Sequence, residues 1–494
     1  MTDHVEARGG TYLDSVALMQ VTRAVRSTPG VSAALVAMAT GLNLELLAGL
    51  GLSAPDGAGP NDLLVGVRAD DDAALAAALT ALEAALGAST ARPSAGGAGP
   101  EPARTTASAA ARAEASLALV SVPGPYAFLE AMDALQAGLS VVVFSDNVPV
   151  EQEVRLKDEA ARRGLLVMGP DCGTAAVGGV GIGFANVVRP GRVGLVAASG
   201  TGAQQLMCLL DEAGVGVSAC LGVGGRDLSA AVGGRSTRSA LAALDADPGT
   251  DLVVVVSKPP APEVADEVRA LTAGMATPVH LALLGEGAAD LTGVAEQVVR
   301  ALGGTVPEWP TWAPDEPPAP RGGVLRGLFS GGTLCDEAMA IAVAALGPVA
   351  SNIPLRPEWA LPADLAADGH AMVDFGDDRL TAGRPHPMID PTLRLERLAG
   401  EAADPSVGVV LLDVVLGHGA DPDPAASLAP AVRAARATAA ADGRGLAVVV
   451  SLCGTAGDPQ GRDRQASALR DAGATVLLSN AAAARLAVSL LEAP

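Results

Sequence analysis

The chain has 494 residues, a formal charge of −22, 49% apolar residues and only 2% aromatic ones. That length and apolar content exclude a disordered protein and predict several domains with cores of Ala, Val and Leu. So acidic a chain is a poor general binder of nucleic acid or anionic membrane, and neither is expected as a partner.

Residues 1–87 predict a small α/β unit. "DSVALMQVTRAV" has helical spacing, "VSAALVAM" and "DLLVGVRA" read as strands, and "DDAALAAALTALEAAL" opens on acids and continues as a helix. The opening "MTDHVEARGG" lacks an apolar signal core, and no apolar run is long enough for a membrane span, so a cytoplasmic protein is expected. Residues 88–116, rich in Ala, Gly, Pro, Ser and Thr, read as a flexible linker.

Residues 117–190 predict βαβαβ, with strands "LALVSV", "SVVVFS" and "LLVMGP" around two helices, as in a Rossmann-like domain. Ligands gather off the carboxyl ends of such strands. Here those ends read "PGPY", "SDNVP" and "GPDCGT", and they include Pro123, Tyr126, Ser145 and Asn147.

Residues 191–303 make a further α/β unit, with strands "RVGLVAA", "VSACLGVG", "DLVVVVS" and "PVHLALLG". Residues 304–323 are too Pro-rich for helix or central strand and read as a second linker. Residues 324–494 form the last unit, with strands "VLRGLFS", "HAMVDFG", "VGVVLLDVVLG", "LAVVVSLCG" and "ATVLLS". Both of these units open with a strand, a Ser-Gly turn and a helix, as two copies of one flavodoxin-like layout would.

The repeated turn has a chemical use. A helix start leaves about four N–H groups unpaired and carries roughly half a positive charge. Glycine admits an anion close to the backbone, and Ser or Thr adds a hydroxyl. Ser199, Gly200, Thr201 and Gly202 make one candidate cradle for phosphate or carboxylate, and Ser330, Gly331, Gly332 and Thr333 make a second. Alternatively, the hydroxyls only cap their helices. Neither stretch continues into a Walker loop.

Other candidates stand at strand ends. Arg226 in "GVGGRDLS" grips an anion or pairs with Asp227. Lys258, one of only two lysines, contacts a substrate anion or is solvated. In "DFGDDRLTAGRPHPMIDPTLR", Arg384, His386 and Arg394 are candidate anion ligands, with His386 able to move a proton. Asp413 reads as lying inside a strand with His418 just after it in a Gly-rich loop, a site position or an ordinary surface histidine, and Cys453 reads as structural. Five widely spaced cysteines without a CxxC predict neither a disulfide framework nor a metal site.

Several stretches carry a resemblance to known proteins. "FSDNVP", "GLLVMGPDCG", "VRPGRVGLVAASGTG" and "GVGGRDLS" make residues 117–303 similar to the α subunit of succinyl-CoA synthetase. Residues 324–494 resemble the ligase domain of its β subunit. With "GGTYLDSVALM", "FANVVRPG", "VSKPP" and "GRPHPMIDPTLR", the whole chain resembles the FdrA family.

The resemblance implies a Rossmann-like domain of CoA-binding type followed by two flavodoxin-like ligase domains. It also implies that the turns at Ser199 and Ser330 face one phosphoryl group from two sides. The synthetases' phosphorylated histidine has no counterpart in "EGAADLTGV", and neither their Gly-rich CoA loop nor an ATP-grasp domain is evident. FdrA-like chains are associated with oxamate carbamoyltransferase.

The expectation is therefore a subunit that acts with two other chains on small anions. It would pass a carbamoyl group between oxalurate and phosphate, giving oxamate and carbamoyl phosphate, in allantoin degradation. No cofactor is then required. The alternatives are an acyl-CoA synthetase, with CoA near Pro123, Tyr126, Ser145 and Asn147, or a non-catalytic scaffold.

Overall fold

A computed structural model describes residues 1–491 except 12, 14, 56, 91–102, 286, 317–321 and 382–383. The chain divides into two compact units, Met1–Ala103 with Arg379–Pro385, and Arg104–Asp378 with His386–Pro494. Among the described residues no helix is long and apolar enough to cross a membrane.

The first unit runs β1 (Thr2–Arg8), α1 (Ser15–Arg26), β2 (Val31–Met38), α2 (Gly41–Gly49), β3 (Leu63–Ala69) and α3 (Asp72–Thr90). Its strands form an antiparallel sheet in the order β1-β3-β2. Alternation along β3 sends Val65 and Val67 to a core with Val21 and Leu82, and Leu64 to a second core with Leu47 of α2. Sequence spacing predicts neither β1 nor α2. "TDHVEAR" has no apolar run, and β1 is tied across the sheet by hydrogen bonds from Arg68 to Asp3, both 2.7 Å.

The second unit begins with α4 (Thr106–Ala110), so the stretch expected as a linker is helical at both described ends. The start of α4 is fixed by reciprocal Thr105–Ser108 hydrogen bonds and by Ala107 N–H donating to Asp133 at 2.8 Å. Residues 91–102 of that expected linker, and 317–321 of the second, lie outside the described residues. Then come β4 (Leu117–Val120), α5 (Gly124–Gln136), β5 (Ser140–Val143), α6 (Val150–Arg163) and β6 (Val167–Met168), a parallel sheet in the order β4-β5-β6.

Next follow β7 (Thr174–Val177), β8 (Val180–Gly183), β9 (Pro190–Ala198), α7 (Gly200–Glu212), β10 (Val217–Gly222), α8 (Arg235–Asp245), β11 (Leu252–Ser257), α9 (Pro262–Thr272), β12 (Val279–Leu283) and α10 (Leu291–Ala301). These strands make one sheet ordered β12-β11-β9-β10-β7-β8. Because β7 pairs antiparallel with β10, this sheet draws in strands that precede residue 190, where a boundary is expected from sequence.

The last stretch holds β13 (Thr311–Trp312), β14 (Val324–Phe329), α11 (Gly332–Leu346), β15 (Ala350–Ser351), β16 (Ala371–Asp374), α12 (Asp378–Thr381), α13 (Thr392–Ala403), β17 (Val407–Val415), α14 (Pro424–Ala441), β18 (Ala447–Cys453), α15 (Arg462–Asp471), β19 (Thr475–Leu477) and α16 (Asn480–Ser489). Its sheet is ordered β13-β19-β18-β17-β14-β16-β15. The Pro-rich stretch supplies β13, an edge strand, where the loss of donors is tolerated.

The two larger sheets share one parallel core, β10-β9-β11-β12 in one and β16-β14-β17-β18-β19 in the other. In each, the first strand lies between the second and third, the flavodoxin-like order. Every residue of β11, β17 and β18 is buried, which is why they read as unbroken apolar runs.

Candidate functional site

The strands β9 and β14 both end in a Ser-Gly turn, and the helices they feed, α7 and α11, meet end to end. Ser199 is extended, at φ −165° and ψ 122°, and its Oγ accepts the Gly202 N–H at 2.9 Å, capping α7. The same oxygen lies 2.6 Å from Thr333 Oγ1 in the first turn of α11. A β-carbon at Gly331 would stand 2.8 Å from Thr201 Oγ1, and one at Gly202 would stand 2.9 Å from Thr333 Cγ2. Only glycine lets the two turns approach so closely. The N–H groups of Gly200, Thr201, Gly332 and Thr333 make no hydrogen bond to the described residues, so both helix starts keep donors for a ligand.

The other half of the second expected cradle is already filled. Ser330 N–H and Oγ donate to Asp413 Oδ1 at 2.7 and 2.9 Å, and Gly331 N–H donates to Asp413 Oδ2 at 2.8 Å. Asp413 comes from inside β17 and is fully buried. Arg394, also buried, neutralises it from 3.1 Å and donates to the carbonyls of Leu328 and Asp413. Ser330, Gly331 and Arg394 therefore build the turn, and of that stretch only the N–H groups of Gly332 and Thr333 are left without a described partner.

Arg226 is likewise engaged. It donates to the Val148 carbonyl at 2.8 Å and pairs with the buried Glu153 at 2.9 Å, not with Asp227. Asp227 instead pairs with Lys157 at 2.7 Å and accepts the N–H groups of Ser236 and Thr237 at the start of α8. Lys157 also bonds Glu153 at 2.7 Å, so the charges in this interior form one network.

Lys258 follows β11 directly and makes no hydrogen bond to the described residues. A β-carbon at Gly332 would lie 2.8 Å from Lys258 Nζ and 2.6 Å from Asp374 Oδ2. The ammonium thus stands at the mouth of α11, beside the free amides. Burial works against its charge, but the carboxylates of Asp336, Asp374 and Asp171 outweigh it and raise the Lys258 pKa. In return, burial pushes Asp336 up to about 7 and Asp374 up to about 6, with Lys258 restraining both.

His386 flanks the same carboxylate. A β-carbon at Gly376 would lie 2.8 Å from His386 Nε2, 2.8 Å from the Ser330 carbonyl and 3.1 Å from Asp374 Oδ1. His386 Nδ1 accepts the Met388 N–H at 3.2 Å, which assigns the ring proton to Nε2. Burial, aided by Arg394, lowers its pKa to about 4, so the ring is neutral at neutral pH. Arg384 is exposed and belongs to the segment grouped with the first unit.

The loops considered for CoA are differently made. Ser145 is buried and its Oγ accepts the Val122 N–H at 3.1 Å. Pro123 precedes α5, Asn147 is left-handed at φ 52°, and Tyr126 is 47% exposed. A β-carbon at Gly124 would strike the carbonyl of Asp146, so the next loop sits on the start of α5. All five cysteines are free and buried.

Asp336 and Asp374 are not predicted from sequence. Asp374 closes an apolar strand in "AMVD", the one local signal it gives. Asp336 sits in the second turn of α11, indistinguishable in sequence from a solvated helical acid.

Known families match both ends of the chain. Residues 1–102 match a family described as "AllF, heavy metal-associated domain", and residues 328–490 match "CoA-ligase". The residues of the first unit do not fit a heavy metal. Residues 1–102 hold no cysteine and one histidine, His4. Among the described residues no cluster of three His, Cys, Asp or Glu is placed to hold an ion.

The α subunit of a succinate–CoA ligase (ADP-forming) from Methanothermobacter thermautotrophicus is 30% identical over 29% of this chain and 49% of its own. The α subunit of a malate–CoA ligase from Methylorubrum extorquens is 29% identical over 31% and 53%. The chain thus spans about half the length of these ligase subunits. A dinucleotide-forming acetyl-CoA synthetase structure from Ca. Korarchaeum cryptofilum aligns over 76% of this chain and 84% of its own, at 15% identity and a TM-score of 0.27. The uncharacterized protein YahF of Escherichia coli (strain K12) is 38% identical over 97% of both chains. At that identity over nearly their full lengths, this chain belongs with YahF to the FdrA-like family of CoA-ligase-related α/β proteins.

Proposed function

We propose that this chain is the ligase-type component of an acyl-activating enzyme of the acyl-CoA synthetase class. It holds a small anion, a phosphoryl group or an acyl phosphate, between the starts of α7 and α11. The observation that carries this reading is the 2.6 Å contact between Ser199 and Thr333, which aims two sets of free amides at one place beside Lys258. Helix starts and an ammonium stabilise developing negative charge without reorganising. The relatives named as succinate– and malate–CoA ligase subunits support the same class. CoA, as the acceptor, would supply the thiol that takes the acyl group. Of the candidate CoA residues, Tyr126 and Asn147 are the exposed ones.

The test is acyl-CoA formation from ATP, magnesium, CoA and a panel of small carboxylic acids. It is run on this chain with a nucleotide-binding partner chain, and read by mass spectrometry. Product that disappears with Lys258→Met supports the reading. Product that is unchanged in Lys258→Met and Ser199→Ala overturns it.

Carbamoyl transfer between oxalurate and phosphate is the second reading. It is favoured by the acids around Lys258, since Asp336 and Asp374 can accept N–H groups of a carbamoyl amide that an acyl chain lacks. "EGAAD", between β12 and α10, also holds no histidine to carry a phosphoryl group. Carbamoyl phosphate formed from oxalurate and phosphate, only when this chain joins its partner subunits, would establish it. In that case CoA would have no effect.

A further inference from the structure

We propose that the first compact unit is a self-association module, in which the open edge of β1 pairs with β1 of a second copy of this chain. The inference is independent of the anion site. It concerns a unit whose family description names a heavy metal that its residues do not fit.

The edge is open, and the strand behind it is held. All seven residues of β1 pair with β3, from Thr2 opposite Ala69 to Arg8 opposite Leu63. Among the described residues no strand pairs with the other side of β1, which leaves a row of N–H and C=O groups for a partner. Helix α3 packs over β3 and β1 and runs along the edge. At one end Thr2 Oγ1 donates to Asp72 at 2.8 Å, and at the other Arg8 pairs with Glu83 at 2.7 Å. Between these anchors, on the same flank by helical spacing, stand Ala76 and Thr80, both exposed. Thr80 Oγ1 donates back to the Ala76 carbonyl at 2.9 Å, so the flank is short and its hydroxyl is satisfied.

Charges on an edge strand usually keep copies apart. Here their order favours one pairing. In an antiparallel pair centred on Val5, Thr2 stands opposite Arg8 of the second copy, Asp3 opposite Ala7, His4 opposite Glu6 and Val5 opposite Val5. No like charges face each other. Centring on Glu6 would set two carboxylates together, and centring on His4 would leave Ala7 and Arg8 without partners. A strand of another protein would need this same alternation, whereas a second copy carries it by construction.

The same two-fold axis brings the helices together. Residues of one parity stay on one face, so both copies of α3 lie on one side of the joined sheet. Strands are about 4.8 Å apart, so a helix above the seam of β3 and β1 stands roughly 10 Å from its copy. That is the separation of packed helices, and side chains as small as Ala76 and Thr80 leave room for it.

The full chain serves for the test. All five of its cysteines are buried, so a short bis-maleimide reports on a cysteine placed in β1. Val5→Cys is expected to give a covalently linked pair of chains, because the two copies face each other across the axis. Ala7→Cys is expected to give none, because its two copies are out of register by about 14 Å along the strands. Sedimentation should show pairs of the unmodified chain at a concentration where Ala76→Glu shows single chains, an affinity loss of at least about tenfold. Circular dichroism reports that Ala76→Glu is folded, and where it is not, the cross-linking decides. Single chains at every concentration overturn the proposal, as does equal linking at Val5→Cys and Ala7→Cys. A pair that Val5→Cys does not link, or that a folded Ala76→Glu leaves as tight, overturns it too, since another surface would then hold the copies.

Discussion

Ser199 and Thr333, 134 positions apart, touch through their hydroxyl oxygens at 2.6 Å, the first capping α7 and the second standing in the first turn of α11. Both are buried, so the contact is made out of water. Thr333→Ala is expected to cost about 0.5–1.5 kcal/mol, and Ser199→Ala about 1 kcal/mol more because it also uncaps α7. In a double-mutant cycle by chemical denaturation, the two losses should fall short of additivity by about the worth of the shared hydrogen bond. Strict additivity would show that the hydroxyls do not interact.

Gly202→Ala reverses an ordinary expectation. Inside a helix that change usually stabilises by up to about 1 kcal/mol. Here the new β-carbon would lie 2.5 Å from Ser199 Oγ, 2.9 Å from Thr333 Cγ2 and 3.1 Å from Val256 Cγ2. A loss of about 1–3 kcal/mol is expected, read from the denaturation midpoint. A stabilised variant would mean that the turns are not in contact.

Lys157→Met leaves Glu153 and Asp227 facing each other in the interior without their shared cation. Removing one partner of a buried ion pair costs about 3–5 kcal/mol. Glu153 keeps Arg226 and Asp227 keeps three donors from Ser236 and Thr237, so the lower end is expected. Lys157→Arg should not rescue fully, because the 2.7 Å contacts surround a compact ammonium.

His386 makes stability depend on acid. Its folded pKa, about 4, lies below the ordinary 6.5, so the unfolded chain holds the proton more tightly. The stability given by the neutral ring is complete above pH 6.5 and is lost as the pH falls through 4. Asn at this position keeps an acceptor for the Met388 N–H without a titrating ring. The difference in unfolding free energy between wild type and His386→Asn should therefore shift by about 2–3 kcal/mol across that window. A constant difference would place the ring in water.

Lys258→Met should weaken binding of inorganic phosphate about 10- to 100-fold, the worth of one charged hydrogen bond, as read by calorimetry. Equal affinity would move the anion away from α11.

Much of this was readable as pattern. Unbroken apolar runs gave β9, β11, β14, β17 and β18, and the Ser-Gly turns marked where α7 and α11 begin. What the residues do at those turns was less readable, because it depends on partners far along the chain. Ser330 and Gly331 look like Ser199 and Gly200 in sequence, yet a carboxylate 82 and 83 residues away occupies their amides. Arg226 has an acid as its neighbour in sequence and pairs with Glu153 instead. Asp336 and Asp374 carry no local mark beyond their position. Strand β1 was hidden for a simpler reason: an edge strand held by cross-strand charges needs no apolar run.

The carriage of both ligase-like sheets on one polypeptide has a consequence for assembly. Thr292 Oγ1 and Ser479 Oγ add a second hydroxyl contact between them at 2.7 Å, and Glu337 of α11 accepts the Leu291 N–H at the start of α10. Were the sheets separate subunits, dilution would pull their paired helix starts apart. Here the tether replaces bulk concentration with an effective one on the millimolar scale. The contact at Ser199 and Thr333 should therefore persist at any protein concentration, leaving only the encounter with other chains sensitive to how much protein is present.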